Sequence, residues 1–110
     1  NFKKKVLLLG IAYKRNIDDT RESPALIIAE KLHAKGIEFE YSDPHVSKIQ
    51  FRGKEKYSKK ITNKLLKDFP VVVIVTDHQK FNYKLISSRA KYIFDCRNSI
   101  KNRKINYFKV

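Results

Sequence analysis

Basic side chains follow two of the predicted strands, at positions where they could bind phosphate groups. Lys14 comes shortly after the apolar run at residues 6–9, and Arg97 comes shortly after residues 92–94. Arg21 lies just before a predicted helix, whose free backbone N–H groups and dipole add to the attraction for an anion. A guanidinium such as that of Arg97 also matches a phosphate with two parallel hydrogen bonds. These cations predict a phosphate-binding site, although the pattern is equally typical of turns with solvated charges.

The loop after the first strand is not one of the common nucleotide-binding loops. Gly10 allows a sharp turn at the end of the strand, and Lys14 follows four residues later. A dinucleotide fingerprint needs G-x-G-x-x-G, and a P-loop needs G-x-x-x-x-G-K-[ST]. Residues 10–14 read G-I-A-Y-K and match neither pattern. A phosphate site here would therefore be of another kind.

Two histidines and one cysteine also lie at predicted strand ends. His45 and His78 each follow an aspartate or an Asp-Pro pair, so a metal site is conceivable. Zinc needs a closed set of three or four ligands, which this spacing does not supply, and we interpret both histidines as residues that orient loops. Cys96 stands beside Arg97, which favours a thiolate, but no histidine is close in sequence. We interpret Cys96 as inert.

The elements that must position these residues alternate between strands and helices. Strands are predicted at 3–9, 37–42, 71–75 and 92–94, helices at 24–35, 59–67 and 82–90, and shorter strands near 49–51 and 105–110. This alternation predicts an α/β fold: a three-layer Rossmann-like domain with a mostly parallel five- to six-stranded sheet and helices on both faces. Ligands of such sheets bind beyond the carboxyl ends of the strands. Those ends are residues 10–14, 43–45, 76–78 and 95–98.

The composition points to an anionic partner without choosing one. The chain has 110 residues, with 25 Lys+Arg against 11 Asp+Glu and a formal charge of +14. This length predicts one domain over residues 1–110, and this charge favours nucleic acid, acidic membranes or phosphorylated small molecules. Residues 48–67 hold eight Lys/Arg, one acid and the aromatic side chains of Phe51 and Tyr57. A basic nucleic-acid-binding α/β module therefore stays open as the alternative function, with a solvated helix face as the simpler explanation.

Other features narrow the class of protein. One cysteine excludes a disulfide framework and a cysteine-based zinc finger, and it fits a reducing compartment such as the cytoplasm. No apolar run approaches the roughly 20 residues that cross a bilayer, and the N-terminus does not read as a signal peptide. A phosphorylation-dependent flavodoxin-like regulator needs an aspartate after the first strand, where Gly10 and Ile11 stand. Because the chain begins at Asn1 and almost at once enters a strand, we expect a piece of a longer protein.

Five sequence blocks in register resemble one known family. They are residues 9–14 (L-G-I-A-Y-K), 18–24 (D-D-T-R-E-S-P), 41–46 (Y-S-D-P-H-V), 76–78 (T-D-H) and 94–98 (F-D-C-R-N). Together they resemble the C-terminal UDP-binding domain of the UDP-glucose/GDP-mannose dehydrogenase family. The D-P-H-V, T-D-H and D-x-R-N forms are most similar to the branch that oxidises UDP-N-acetylhexosamines at C6.

The resemblance implies a role for this chain within a larger enzyme. Members of the family oxidise the C6 alcohol of the sugar to a carboxylate with two NAD⁺, in polysaccharide precursor synthesis, and act as homodimers or larger homo-oligomers. NAD lies mainly in an N-terminal domain, and a cysteine that precedes this domain forms the covalent intermediates. By position, Tyr13 and Lys14 would contact the UDP-sugar, Arg97 would bind its UDP portion, and Arg21 would reach NAD. Cys96 does not match the nucleophile, so the resemblance implies no catalytic residue, no metal, no nucleic-acid partner and no membrane partner here, and an inactive isolated chain.

Overall fold

The computed structural model describes residues 5–12, 23–97 and 107–109. The described elements are β1 (Lys5–Leu9), α1 (Pro24–Ala34), β2 (Glu38–Ser42), β3 (Lys48–Phe51), β4 (Lys54–Tyr57), α2 (Asn63–Asp68), β5 (Val71–Ile74), α3 (Tyr83–Arg89), β6 (Tyr92–Asp95) and β7 (Tyr107–Lys109). Five of the strands form one sheet in the order β2-β1-β5-β6-β7, and every pairing in it is parallel. The predicted parallel α/β sheet is confirmed.

The strand order reverses at β1. The chain moves from β1 outward to β2 and then returns to the other side of β1, where β5, β6 and β7 are added in sequence. In open α/β sheets the crevice for a ligand lies outside the carboxyl ends of the strands at such a reversal. The ends of β1 and β5, followed by Gly10 and Val75, therefore mark the place where a ligand site is expected.

Two separate hydrophobic clusters show that helices cover both faces of the sheet. Alternate residues of a strand point to opposite faces. Along β1, Val6 and Leu8 pack in the cluster that contains Ala25 and Ala29 of α1. Leu7 and Leu9 pack in the other cluster with Leu66 of α2 and Ile86 of α3, among others. This arrangement confirms the predicted three layers.

Helix α1 begins at the predicted residue and ends at Ala34, one residue before the predicted end. The Ser23 hydroxyl accepts a hydrogen bond from the backbone N–H of Ala25 at 3.2 Å, and Pro24 occupies the first helical turn. Proline suits that position because its missing N–H would have no partner within the helix. Beyond the helix, Gly36 has a φ of +70°, a left-handed conformation that glycine adopts without strain.

The segment between β2 and β5 differs most from its prediction. Residues 48–57 form an antiparallel hairpin, of which only the first strand was expected. Its two turn residues, Arg52 and Gly53, both have positive φ, at 51° and 81°. Such two-residue turns usually carry Asn-Gly or Asp-Gly, so Arg-Gly gives little signal in the sequence.

The predicted basic helix over residues 59–67 begins too early. Helix α2 starts at Asn63, because the Thr62 hydroxyl accepts from the backbone N–H of Leu65 at 3.1 Å and caps it. Upstream, the backbone N–H of Lys59 donates to the Tyr41 carbonyl at 2.9 Å, which keeps that residue beside strand β2. Residues 59–62 are therefore part of the connection from the hairpin.

Candidate functional site

Gly10 joins the carboxyl ends of three strands. Its backbone N–H donates to the Ser42 carbonyl of β2 at 2.9 Å, and its φ is +89°. A Cβ at this position would lie 2.5 Å from the Thr76 carbonyl oxygen and 2.6 Å from the Thr76 Cβ. The sequence predicts a sharp turn here, and the structure adds that β1 can approach the end of β5 only because residue 10 has no side chain.

The carboxylate of Asp43 holds the start of the loop that follows β1. Its Oδ2 accepts hydrogen bonds from the backbone N–H groups of Ile11 at 2.8 Å and Ala12 at 2.9 Å. Its Oδ1 accepts from the backbone N–H of His45 at 2.8 Å. Asp43 is only 3% exposed. Since a buried carboxylate is costly without such donors, this set of bonds accounts for its place in the interior.

His78 completes the environment of that carboxylate. Its Nε2 lies 2.9 Å from Asp43 Oδ2, and both side chains are fully buried. An ionised carboxylate only accepts, so Nε2 carries the proton and donates it. The ring of His45 packs beside His78 with centroids 4.8 Å apart. The histidines that the sequence assigned to loop orientation thus lie together at the ends of β2 and β5.

Among the described residues, no group of three or more His, Cys, Asp or Glu side chains is placed to hold a metal ion. The Nε2 of His78 is already used by Asp43. The geometry favours an anchoring network over a ligand set.

Arg97 lies at the carboxyl end of β6, where it remains accessible to a ligand. Its Nε is 3.4 Å from Asp77 Oδ1, and its side chain is 43% exposed. Its backbone N–H donates to Asp95 Oδ1 at 2.9 Å, while the Tyr107 hydroxyl donates to Asp95 Oδ2 at 2.8 Å. The fully buried Asp95 therefore fixes the backbone from which the guanidinium extends.

Cys96 has the environment of an unreactive thiol. Desolvation raises its pKa and the neighbouring charge of Asp95 raises it further, while Arg97 opposes them and lowers it. A raised pKa keeps the thiol protonated at neutral pH, and the thiol is a weak nucleophile. This agrees with the interpretation of Cys96 as inert.

The remaining predicted site residues fall outside the described part of the chain. Tyr13, Lys14 and Arg21 belong to residues 13–22, so their roles stay predictions. Tyr13 and Lys14 directly follow Ala12, whose backbone Asp43 and Thr76 both hold. The Thr76 hydroxyl donates to the Ala12 carbonyl at 2.9 Å.

Asp43 is the residue whose importance the sequence reasoning missed. In the sequence, Asp43 stands only within the Y-S-D-P-H-V block at residues 41–46. An acid at the end of the second strand of a βαβ unit is the signal that could have singled it out, since in dinucleotide-binding folds this residue binds a ribose hydroxyl. Here both oxygens of Asp43 are occupied by protein donors inside the fold. The described residues therefore do not fit a dinucleotide site of that kind.

A parallel sheet whose strand order reverses beside a cluster of polar strand ends is typical of nucleotide-binding α/β domains. The sequence model of the UDP-glucose/GDP-mannose dehydrogenase family, UDP binding domain, matches residues 7–102. The chain therefore belongs to this family. No helix in the described ranges is long and apolar enough to span a membrane.

Two curated relatives and one solved structure show the same relationship. UDP-N-acetyl-D-mannosamine dehydrogenase of Pyrococcus horikoshii is 36% identical over 107 residues, which cover 93% of this chain and 23% of that protein. The enzyme of the same name from Methanococcus vannielii is 30% identical over 103 residues, which cover 94% of this chain and 22% of that one. The structure of UDP-D-ManNAc dehydrogenase from P. horikoshii superposes with a TM-score of 0.74 at 29% identity, over 98% of this chain and 25% of that one. The chain thus spans about a quarter of the length of these relatives.

Proposed function

We propose that this chain is the C-terminal, nucleotide-sugar-binding domain of an NAD-dependent UDP-sugar 6-dehydrogenase. The whole enzyme would oxidise the C6 alcohol of the sugar to a carboxylate. The observation that carries the proposal is the match of the UDP binding domain over residues 7–102. The names of the relatives favour an N-acetylhexosamine as the sugar. The chain spans about a quarter of those relatives, and the proposal assigns the activity to a larger protein of which this chain would be one domain.

We assign the UDP-sugar to the carboxyl edge of the sheet, where β1 and β5 end. Arg97 would bind the UDP portion, and its partly exposed guanidinium at the end of β6 supports this role. Tyr13 and Lys14 would contact the UDP-sugar, with Lys14 near the sugar or the diphosphate. Their sequence position directly after the anchored Ala12 supports this assignment.

NAD would accept the hydride in the full enzyme, but the described residues do not form its site. The acid at the end of β2, which would bind a ribose hydroxyl in a dinucleotide-binding fold, is buried and saturated with protein donors. We therefore assign NAD to a part of the enzyme outside this chain. Arg21 is proposed to reach it from this domain.

The cellular setting follows from the same proposal. The single cysteine of the chain, Cys96, is free, which fits the reducing cytoplasm. The full enzyme would act as a homodimer or larger homo-oligomer and supply a precursor for polysaccharide synthesis.

The alternative of a nucleic-acid-binding module gains little from the basic segment at residues 48–67. Three of its cations already have acidic neighbours: Lys48 with Glu55 at 3.9 Å, Arg52 with Glu30 at 2.9 Å, and Lys56 with Glu40 at 3.5 Å. Pairing of this kind reduces the charge that a phosphate backbone would meet. The known family of the chain also favours a nucleotide sugar over a nucleic acid.

A titration of the 110-residue chain with UDP, followed by NMR of the backbone amides, tests the proposal. We expect shifts concentrated at Tyr13, Lys14 and Arg97, and weaker binding in Arg97→Ala. Lys59→Ala, a change in the basic segment, is the control and should leave binding unchanged. We expect no NAD reduction when the chain is mixed with NAD and a UDP-sugar. Shifts confined to residues 48–67, or salt-sensitive binding of duplex DNA, would support the nucleic-acid alternative instead.

A further inference from the structure

We propose that Asp43 and His78 form a positioning pair that holds the backbone of Ile11 and Ala12, and through it supports binding of the nucleotide sugar. This inference rests on the proposed function, in which Tyr13 and Lys14 contact the UDP-sugar. Neither Asp43 nor His78 would touch the ligand. Both would act through the backbone of Ile11 and Ala12, the last residues before the proposed contacts.

The geometry of Asp43 Oδ2 is the first support. This one oxygen accepts from three donors: the N–H of Ile11 at 2.8 Å, the N–H of Ala12 at 2.9 Å, and Nε2 of His78 at 2.9 Å. The donors come from beyond the ends of β1 and β5, and the acceptor follows β2. The buried carboxylate of Asp43 therefore connects residues at the ends of three strands, where the strand order reverses.

The way His78 is itself held is the second support. Its ring packs against His45, at a centroid distance of 4.8 Å, and against Phe81, at 5.5 Å. Its carbonyl accepts from the Tyr83 hydroxyl at 2.7 Å, which links it to the start of α3. A histidine held by these three contacts can set the direction of the Asp43 carboxylate, and through it the positions of the Ile11 and Ala12 amides.

The bonding pattern requires a carboxylate and not merely a polar group of the same size. Oδ2 receives three N–H donors and Oδ1 receives the N–H of His45. An asparagine has one oxygen and one NH₂ group. In either orientation its NH₂ would face at least one N–H donor, so Asp43→Asn leaves buried donors without an acceptor.

Paired substitutions of His78 give the sharpest experiment. His78→Gln keeps an N–H donor that can reach Asp43, whereas His78→Leu has none. His33→Gln makes the same chemical change at an exposed histidine of α1 and serves as the matched control. UDP affinity of the 110-residue chain, measured by NMR titration, is compared with the free energy of unfolding and with hydrogen exchange of the Ile11 and Ala12 amides.

We expect His78→Leu and Asp43→Asn each to weaken UDP binding about tenfold, because apparent affinity falls in proportion to the fraction of molecules in which Ile11 and Ala12 keep the binding-competent backbone, here reduced to about a tenth. His78→Gln should recover most of the affinity, and His33→Gln should match the wild type. The Ile11 and Ala12 amides should exchange faster in His78→Leu than in His78→Gln. If Asp43→Asn does not fold, the two His78 variants decide.

Two results would overturn the inference. One is a folded His78→Leu protein with wild-type UDP affinity and wild-type exchange at Ile11 and Ala12. The other is an equal loss of affinity in the Leu and Gln variants, which would assign the effect to the ring and not to its hydrogen bond. A wild-type chain that binds no UDP would contradict the proposed function, while amide exchange would still decide whether Asp43 and His78 hold the loop.

Discussion

The cluster at the strand ends and the β3–β4 hairpin are both rich in polar and charged residues, but they use them in opposite ways. At the strand ends, Asp43 and His78 are fully buried and bonded to each other. In the hairpin, Arg52 pairs with Glu30 while both side chains remain 53% exposed. Exposed pairs of this kind contribute about 0–1 kcal/mol, whereas a hydrogen bond to a charged group contributes about 1.5–3 kcal/mol.

The difference shows why the charge of +14 is a poor guide to function. Solvent screens the cations of the hairpin, and some of them already pair with acidic side chains at the surface, as Lys48 does with Glu55. The strand-end cluster contains few charges, yet these connect three strands and hold the loop that leads to the proposed ligand contacts. The position of a charge in the fold therefore matters more than the number of charges.

The largest effect is expected when the close approach at the strand ends is blocked. Gly10→Ala would place a Cβ 2.5 Å from the Thr76 carbonyl, at a φ of +89°. Overpacking and left-handed backbone strain together should cost about 2–5 kcal/mol, measured as the free energy of unfolding in urea.

Gly53→Ala in the hairpin turn is the matched control for Gly10→Ala. Gly53 has a similar φ of +81°, but a Cβ there would meet nothing within 4 Å. Gly53→Ala should lower the free energy of unfolding only by the strain of the left-handed backbone, about 1–2 kcal/mol. Equal losses in the two variants would contradict the close contact with Thr76.

An alkaline titration should distinguish the buried Tyr41 of β2 from the exposed Tyr57 of the hairpin. Burial, with a further contribution from the charge of Asp43, raises the pKa of Tyr41 to about 12. The folded state therefore binds a proton more tightly than the unfolded state. Stability should be intact below pH 10 and fall as the pH rises from about 10 to about 12, by at most about 3 kcal/mol.

Tyr41→Phe should remove this part of the alkaline destabilisation, as measured by urea unfolding at pH 9 and pH 11. Tyr57 in the hairpin offers the comparison, since its pKa is raised first by a hydrogen bond to Glu55 at the surface and then by the negative charge of Glu55, which salt screens. High salt should therefore lower the pKa of Tyr57 more than that of Tyr41. An alkaline unfolding profile unchanged in Tyr41→Phe would contradict the assignment.

Local patterns were enough to predict most of the sheet and its layers. Strand β5 is a continuous β-branched run, and α1 has a capping serine, a first-turn proline and a closing glycine. The sequence does not predict β4, because the residues Lys54–Tyr57 are mostly exposed and charged, with no apolar alternation, and because Arg52-Gly53 is an unusual turn. The sequence predicts too early a start for α2, because a run of basic residues fits the exposed face of a helix. The first helical residue is set by the cap, which the charge pattern does not reveal.

The candidate site was predictable in outline but not in its bonds. The sequence indicates that polar residues gather at the strand ends, because parallel strands bring those ends to one edge. It does not indicate that Asp43 turns inward, since that depends on donors 31 to 35 residues away, at Ile11, Ala12 and His78. Such a contact exists only once three strands have paired in their final order.

The smallest effect is expected at the hairpin turn, where Arg52→Asn improves the backbone geometry but removes a surface ion pair. Arg52 has a φ of 51° and donates to Glu30 at 2.9 Å. Arg52→Asn loses that pair but gives the turn the Asn-Gly sequence that this geometry prefers. Because left-handed backbone favours Asn and an exposed pair contributes about 0–1 kcal/mol, we expect a net stabilisation of about 0.5 kcal/mol. Glu30→Gln breaks the same pair with the turn unchanged and should lower the free energy of unfolding slightly or not at all. A loss in Arg52→Asn as large as that in Gly53→Ala would show that the ion pair, and not the turn, stabilises the hairpin.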